Sequence, residues 1–133
     1  TKFSVMSILI GSITKILKFS NFIKLMEVGI DIQNTGGFKD FKKYKKFYNK
    51  IFTKNEINFC MKRKDYKSCF CGKFCIKESI IKIFDKKLSM KDIEVLNSVS
   101  GKPYVKIKSI KRNDINISLS HSKGTCVGVA IKI

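Results

Sequence analysis

The sequence is short of proline, histidine, arginine and acidic residues, and each shortage narrows what the protein can be. A single proline, Pro103, in 133 residues leaves no proline-rich linker, and 44% hydrophobic content argues against disorder. The chain reads as one domain, long enough for a real core. A single histidine, His121, leaves the cysteines without a nearby nitrogen ligand. Cys60, Cys69, Cys71, Cys75 and Cys126 are odd in number, and Cys69-x-Cys71-x-x-x-Cys75 lacks the paired C-x-x-C spacing of a zinc site. Reduced, buried thiols of an intracellular protein are the expectation. No uninterrupted apolar run approaches the ~18 residues of a membrane-spanning helix. Ten acidic side chains face 28 basic ones, a net charge of +18. That balance suits an acidic partner: nucleic acid, an anionic membrane, a phosphate-rich ligand or an acidic protein. Arginine occurs only at Arg63 and Arg112, and the abundance of Lys, Ile, Asn and Phe resembles AT-rich coding, so part of the charge is drift on solvated faces.

Residues 1–25 are apolar and basic, with no acid before Glu27. They read either as the end of an organelle transit peptide or as an N-terminal helix with Met6, Leu9, Ile13, Ile16 and Leu17 as its buried stripe. Residues 26–133 carry the rest. Met26 to Gln33 alternates strictly, predicting a half-buried strand with Met26, Val28, Ile30 and Ile32 on one face and Asp31 on the polar face beside the small Gly29. Thr35-Gly36-Gly37 breaks the strand. From Phe38 to Phe52 aromatic residues recur near helical spacing among Lys39, Lys42, Lys43, Lys45, Lys46 and Lys50, which predicts a lysine-coated helix. Its coat is either a solvated face or a docking surface for an acidic partner. Thr53-Lys54-Asn55-Glu56 is a capping box opening a short helix to about Arg63.

After a polar connection over 64–71, Ile76, Ile80, Ile83 and Phe84 predict a helix running from Gly72 to near Asp85. Phe74 and Ile81 flank Glu78 on its other side, and a helix apolar nearly all round is buried. Glu78 is then either an exposed i,i+4 partner of Lys82 or a carboxylate retained for chemistry. The last third changes period. Short strands are expected at 93–96, 104–108, 115–120 and 127–133, with a turn over 98–103 and a hairpin-like loop over 121–124. Helices first and strands after, with the first strand joining the later sheet, make an α+β fold.

Five segments then match a known family in order and approximate spacing: Val28-Gly29-Ile30-Asp31-Ile32, Phe52-Thr53-x-x-Glu56, Gly72-Lys73-Phe74-x-x-Lys77-Glu78-x-x-x-Lys82, Gly101-Lys102-Pro103 and Ser118-Leu119-Ser120-His121-Ser122. From about Glu27 onward the chain resembles the phosphopantetheinyl transferases, in particular the short holo-acyl-carrier-protein synthase type. The resemblance implies a small, mainly antiparallel sheet packed on a long central helix. It implies transfer of the phosphopantetheine arm of coenzyme A to a serine of an acidic apo acyl carrier protein, for fatty acid synthesis, with magnesium. Asp31 and Glu78 are the implied metal ligands, Glu78 the general base and Lys82 the charge near the pyrophosphate. Lys73, Lys77, Gly101, Lys102, Pro103, Ser120 and His121 are the implied coenzyme A contacts. A homotrimer with sites between neighbouring subunits is implied as well.

The chain departs from the family pattern in three places. Lys73 stands where arginine is usual, keeping the charge and losing the bidentate fork. No basic residue follows at Gly36-Gly37, which shifts the expected carrier contact to Lys39, Lys42, Lys43, Lys45 and Lys46. Gln33 stands where two-lobed relatives carry a further acid. The rival reading is a basic nucleic-acid-binding domain without catalysis; it leaves Asp31, Glu78 and the Ser-His-Ser segment unexplained. The coding bias and basic leader suit a plastid-type organelle (apicoplast type), with a bacterial cytoplasm as the alternative compartment.

Overall fold

The computed structural model describes residues 26–133, so the expected N-terminal helix over 1–25 lies outside the described residues. Three helices, α1 (Lys45–Ile51), α2 (Lys54–Met61) and α3 (Tyr66–Ile81), follow the first strand, β1 (Glu27–Asn34). Five strands complete the chain: β2 (Ile93–Asn97), β3 (Pro103–Ile107), β4 (Ile110–Lys111), β5 (Ile115–Ser122) and β6 (Thr125–Lys132). The fold is α+β with antiparallel pairing throughout, divided between two three-stranded sheets, β1-β6-β5 and β2-β3-β4. The short β4 is the strand that alternation did not reveal, since two residues carry no period.

Helix α3 organises the packing. It begins earlier than the apolar spacing indicates, because the Asp65 carboxylate accepts hydrogen bonds from the Ser68 amide at 3.2 Å and the Ser68 hydroxyl at 2.6 Å. Gly72 therefore lies inside the helix, and the helix ends at Ile81, short of Asp85. One side of α3 joins an aliphatic core of Ile76, Ile80, Ile93, Val95, Val105 and Ala130; the other joins an aromatic and thiol core of Tyr48, Phe52, Phe70, Cys71, Cys75 and Cys126. The helix lies directly on β6 and β1 because two positions carry no side chain. A Cβ on Gly128 would sit 2.9 Å from the Cys75 carbonyl carbon, and one on Gly29 would overlap the Ser79 carbonyl oxygen.

That contact reverses the expected facing of β1. Gly29, Asp31 and Gln33 turn toward α3, while Val28, Ile30 and Ile32 are 62%, 57% and 65% exposed. Alternation identifies the strand but not which face meets the core; here the face that can approach a helix backbone wins over the more apolar one. Register places Ile131, Val129 and Val127 of β6 on the same outer face as Val28, Ile30 and Ile32.

The lysine-coated helix is shorter than expected: residues 38–44 are not helical, and only Lys45–Ile51 is. Phe38 and Phe41 pack against Phe74 and Phe70, and the Tyr48 hydroxyl donates to the Lys39 carbonyl, so side-chain burial dictates an irregular path there. The Thr53 capping box forms as expected. One further correction concerns the thiols. Cys60 and Cys69 form a disulfide, with Cα atoms 5.5 Å apart, joining the end of α2 to the start of α3; Cys71, Cys75 and Cys126 are free and buried. The α2–α3 turn brings the two together, a proximity that spacing alone does not disclose.

Candidate functional site

Sheet order places two groups of polar side chains on opposite flanks of α3. On the β1 flank, Asp31 faces the helix with its side chain 12% exposed. Lys82, just past the end of α3, donates to Asp31 Oδ1 at 3.3 Å and to the Ile30 carbonyl at 2.7 Å. Gln33 Nε2 donates to Asp31 Oδ2 at 3.0 Å. Beneath Asp31 the Cys75 thiol is pushed up to about 12, first by burial and then by the Asp31 charge, so it stays protonated. Glu78 is half-buried and falls between Cys75 and Lys82 at i+3 and i−4, on the stripe of α3 that Asp31 overlooks. Among the described residues no three His, Cys, Asp or Glu side chains gather into a metal cage. Two hard carboxylates, Asp31 on β1 and Glu78 on the α3 stripe it faces, are nonetheless the kind of protein donor set that magnesium uses when phosphate oxygens and waters complete its shell, and their chemistry suits that ion rather than zinc.

On the β5 flank an open cleft of about 820 Å³ is lined by Phe59 and Arg63 near the α2–α3 turn, Lys73 on α3, Asn97 and Pro103, and His121 on β5. Its volume suits a nucleotide-sized ligand. Lys73 is only 5% exposed; its ammonium donates to the Val95 carbonyl at 2.6 Å and to Asn97 Oδ1 at 3.4 Å, and lies 4.6 Å over the Phe59 ring. The Arg63 guanidinium covers the same ring at 4.6 Å. Burial lowers the Lys73 amine to about 8. His121 Nδ1 is 3.1 Å from the Cys126 sulfur, which fixes the ring at the cleft edge.

The remaining sequence-derived candidates separate. Lys77 is fully buried away from both groups: it pairs with Glu56 at 2.5 Å and donates to the Ile51 and Met90 carbonyls at 2.8 and 3.0 Å. With its donors consumed inside the core, Lys77 does not reach a ligand, which corrects its expected role as a coenzyme A contact. Lys102 lines a smaller neighbouring cleft of about 240 Å³ that shares Pro103 with the larger one. Gly101 forms the exposed turn before β3, with φ of 89°, and Ser120 lies exposed on the outer face of β5 opposite Val127. Lys39, Lys42, Lys43, Lys45 and Lys46 are all exposed over the segment preceding α1 and its first turn.

Sequence reasoning missed Phe59, Arg63, Lys64 and Asn97 as cleft residues. Arg63 carried a signal, being one of two arginines in a lysine-rich chain. Glu56, expected as a helix cap and part of a matched segment, also accepts from the Val95 amide at 2.9 Å and neutralises Lys77.

Comparison with known proteins adds a consistent result. A family model described as the 4'-phosphopantetheinyl transferase superfamily matches residues 27–130. The holo-(acyl-carrier-protein) synthase of Halothermothrix orenii is 32% identical over 119 residues, covering 78% of this chain and 94% of the relative. Among solved structures, the holo-(acyl-carrier-protein) synthase of Bacillus anthracis in complex with CoA (3',5'-ADP) is 30% identical with a TM-score of 0.65, covering 79% of this chain and 93% of that one. The Helicobacter pylori enzyme in complex with coenzyme A is 26% identical with a TM-score of 0.67, covering 80% of this chain and 100% of that one.

Proposed function

The chain belongs to the 4'-phosphopantetheinyl transferase superfamily, and on that footing we propose what its two side-chain groups accomplish. The protein is an enzyme that transfers the phosphopantetheine arm of coenzyme A to a serine of an apo acyl carrier protein and releases 3',5'-ADP. The observation that carries the assignment of roles is the Asp31–Lys82 pair standing beside Glu78 on α3. The carrier serine oxygen forms a bond to the pantetheine-bearing phosphorus, and the bond from that phosphorus to the bridging oxygen breaks. Glu78 takes the serine proton, and Lys82 offsets the negative charge that collects on the departing diphosphate end. Asp31 and Glu78 would hold magnesium, which supplies charge neutralisation of the pyrophosphate. Lys73, Arg63 and His121 hold the ribose phosphate in the larger cleft, with Pro103 at its wall.

We propose a homotrimer with sites shared between copies, and the sharing is what the arrangement of the two groups favours. Asp31 and Glu78 stand on the β1 flank of α3, whereas Lys73 and His121 open on the β5 flank, so one ligand reaching both groups of a single copy would have to cross the helix. A neighbouring copy supplying the second group removes that obstacle. The exposed apolar face of β1 is the surface we assign to that neighbour. The exposed lysines at 39, 42, 43, 45 and 46 are assigned to the acidic carrier protein. Among the described residues no helix is long and apolar enough to cross a membrane. We place the reaction where a bacterial-style fatty acid pathway runs, in a plastid-type organelle or a cytoplasm.

Intact-mass spectrometry of an apo acyl carrier protein incubated with this protein, coenzyme A and magnesium tests the reading. A gain of one phosphopantetheine, prevented by a chelator, is expected. No gain with several carriers, alongside salt-sensitive binding to nucleic acid, would overturn it.

A further inference from the structure

We infer that Gln33 is a positioning residue for Asp31, holding one carboxylate oxygen in place while leaving the other to a cation. The inference rests on the proposed role of Asp31 as a metal ligand. Gln33 and Asp31 are two residues apart on β1, and both face α3. Backbone pairing with Cys126 of β6 fixes the Gln33 Cα, so its amide reaches Asp31 from a rigid base. The two oxygens of Asp31 have unlike partners. Oδ2 accepts from the Gln33 amide at 3.0 Å, and Oδ1 accepts from the Lys82 ammonium at 3.3 Å.

These partners respond differently to an incoming cation. Lys82 is a positive charge with its side chain 51% exposed, so it can leave Oδ1 while keeping a hold on the Ile30 carbonyl. Gln33 is neutral and has no electrostatic reason to move. It therefore keeps the carboxylate plane oriented through the exchange, in the way that outer hydrogen-bond partners orient metal-binding carboxylates. A glutamate here would offer no donor at neutral pH and would repel Asp31; an aliphatic side chain would leave Oδ2 free to rotate. The same neutrality keeps the negative charge of this corner confined to Asp31 and Glu78, so binding here depends on phosphate oxygens from the ligand.

Manganese, followed by electron paramagnetic resonance with saturating coenzyme A and the free coenzyme A background subtracted, provides a readout independent of turnover. Gln33→Met preserves length and removes the donor; Gln33→Val suits a strand and also removes it. Each is expected to weaken manganese binding about tenfold, the lower end for loss of an outer partner. The magnesium concentration giving half-maximal turnover should rise in parallel, with the KM for coenzyme A unchanged and kcat recovered at saturating magnesium. A purely structural role would instead lower the melting temperature and leave manganese affinity alone. If Asp31→Asn abolishes manganese binding while both Gln33 variants bind as the parent does, the positioning role is overturned. If Asp31→Asn, or the parent against its own background, shows no manganese dependence on Asp31, the metal assignment fails and this inference with it.

Discussion

Lys73 should make nucleotide affinity depend on pH in a window where neither phosphate nor arginine titrates. Its amine is lowered from the ordinary lysine value of 10.5 to about 8. Burial is the main cause; Lys77 and Arg63 push the same way, while Glu56 and Glu94 pull it back. Its hydrogen-bond partners, the Val95 carbonyl and the Asn97 amide oxygen, are neutral. A ligand phosphate would be its counter-charge. At pH 7 the free protein holds Lys73 mostly charged, and at pH 9 mostly neutral, by roughly ten to one in each case. Binding a phosphate at pH 9 then requires uptake of a proton, so the Kd for 3',5'-ADP should rise about tenfold between pH 7 and pH 9, or ~1.4 kcal/mol. Isothermal titration calorimetry at fixed ionic strength measures this, and proton uptake appears as a dependence of the heat on the buffer. Lys73→Arg keeps its charge across the range and should remove the slope. An equal slope in both proteins, or a flat profile in the parent, refutes the reasoning. The effect on stability has the opposite sign. Because the folded amine titrates below the unfolded one, the unfolded chain binds the extra proton between about pH 8 and 10.5, and the ligand-free fold gains stability as pH rises through that window.

Other consequences can be checked in parallel. Asp31→Ala or Glu78→Ala should abolish turnover with the circular dichroism spectrum unchanged; activity retained at saturating magnesium would refute the assignment. Charge reversal at Lys42, Lys43 and Lys46 should raise the KM for the carrier protein several-fold with little change for coenzyme A, and equal changes in both would count against the docking role. Glu56→Ala leaves the Lys77 ammonium unpaired in the core and should cost about 3–5 kcal/mol in denaturant unfolding. Ile30→Lys places a charge on the outer face of β1 and, under the proposed trimer, should shift sedimentation toward monomer; an oligomer unchanged from the parent's would rule that face out.

Much of this arrangement is legible in the chain, and the parts that are not share a cause. Strands β1, β2, β3, β5 and β6 declare themselves by alternation, and the Thr53 box by its own chemistry. Glu78 and Lys82 are legible as an i,i+4 pair from helical spacing, whereas Asp31 joins them in the sequence only through the family resemblance, because no spacing relates a strand residue to a distant helix. What alternation cannot give is the direction in which a strand faces. The apolar side of β1 is exposed because Gly29 and Gly128 admit the α3 backbone on the other side. The start of α3 depends on a side-chain cap at Asp65 that lies among polar residues and resembles a loop. The segment over 38–44 has helical spacing of its aromatics yet is held irregular by tertiary contacts, which override propensity.

Lys73, Lys77 and Lys82 look alike in sequence, spaced four and five residues apart around Glu78, and what distinguishes them is the charge that folding sets opposite each. Lys77 meets Glu56 and two backbone carbonyls, so its charge is spent inside the core. Lys82 meets Asp31 at a half-open edge, where the proposed cation would replace it on one oxygen. Lys73 meets neutral dipoles and the face of Phe59, which hold an ammonium without neutralising it. A buried cation without an anion is costly, and the lowered pKa of Lys73 expresses that cost. A phosphate entering the cleft would remove it. The lysine least satisfied by the protein is thereby the one we assign to the nucleotide phosphate, while the Glu56–Lys77 pair one turn along α3 closes on itself inside the core.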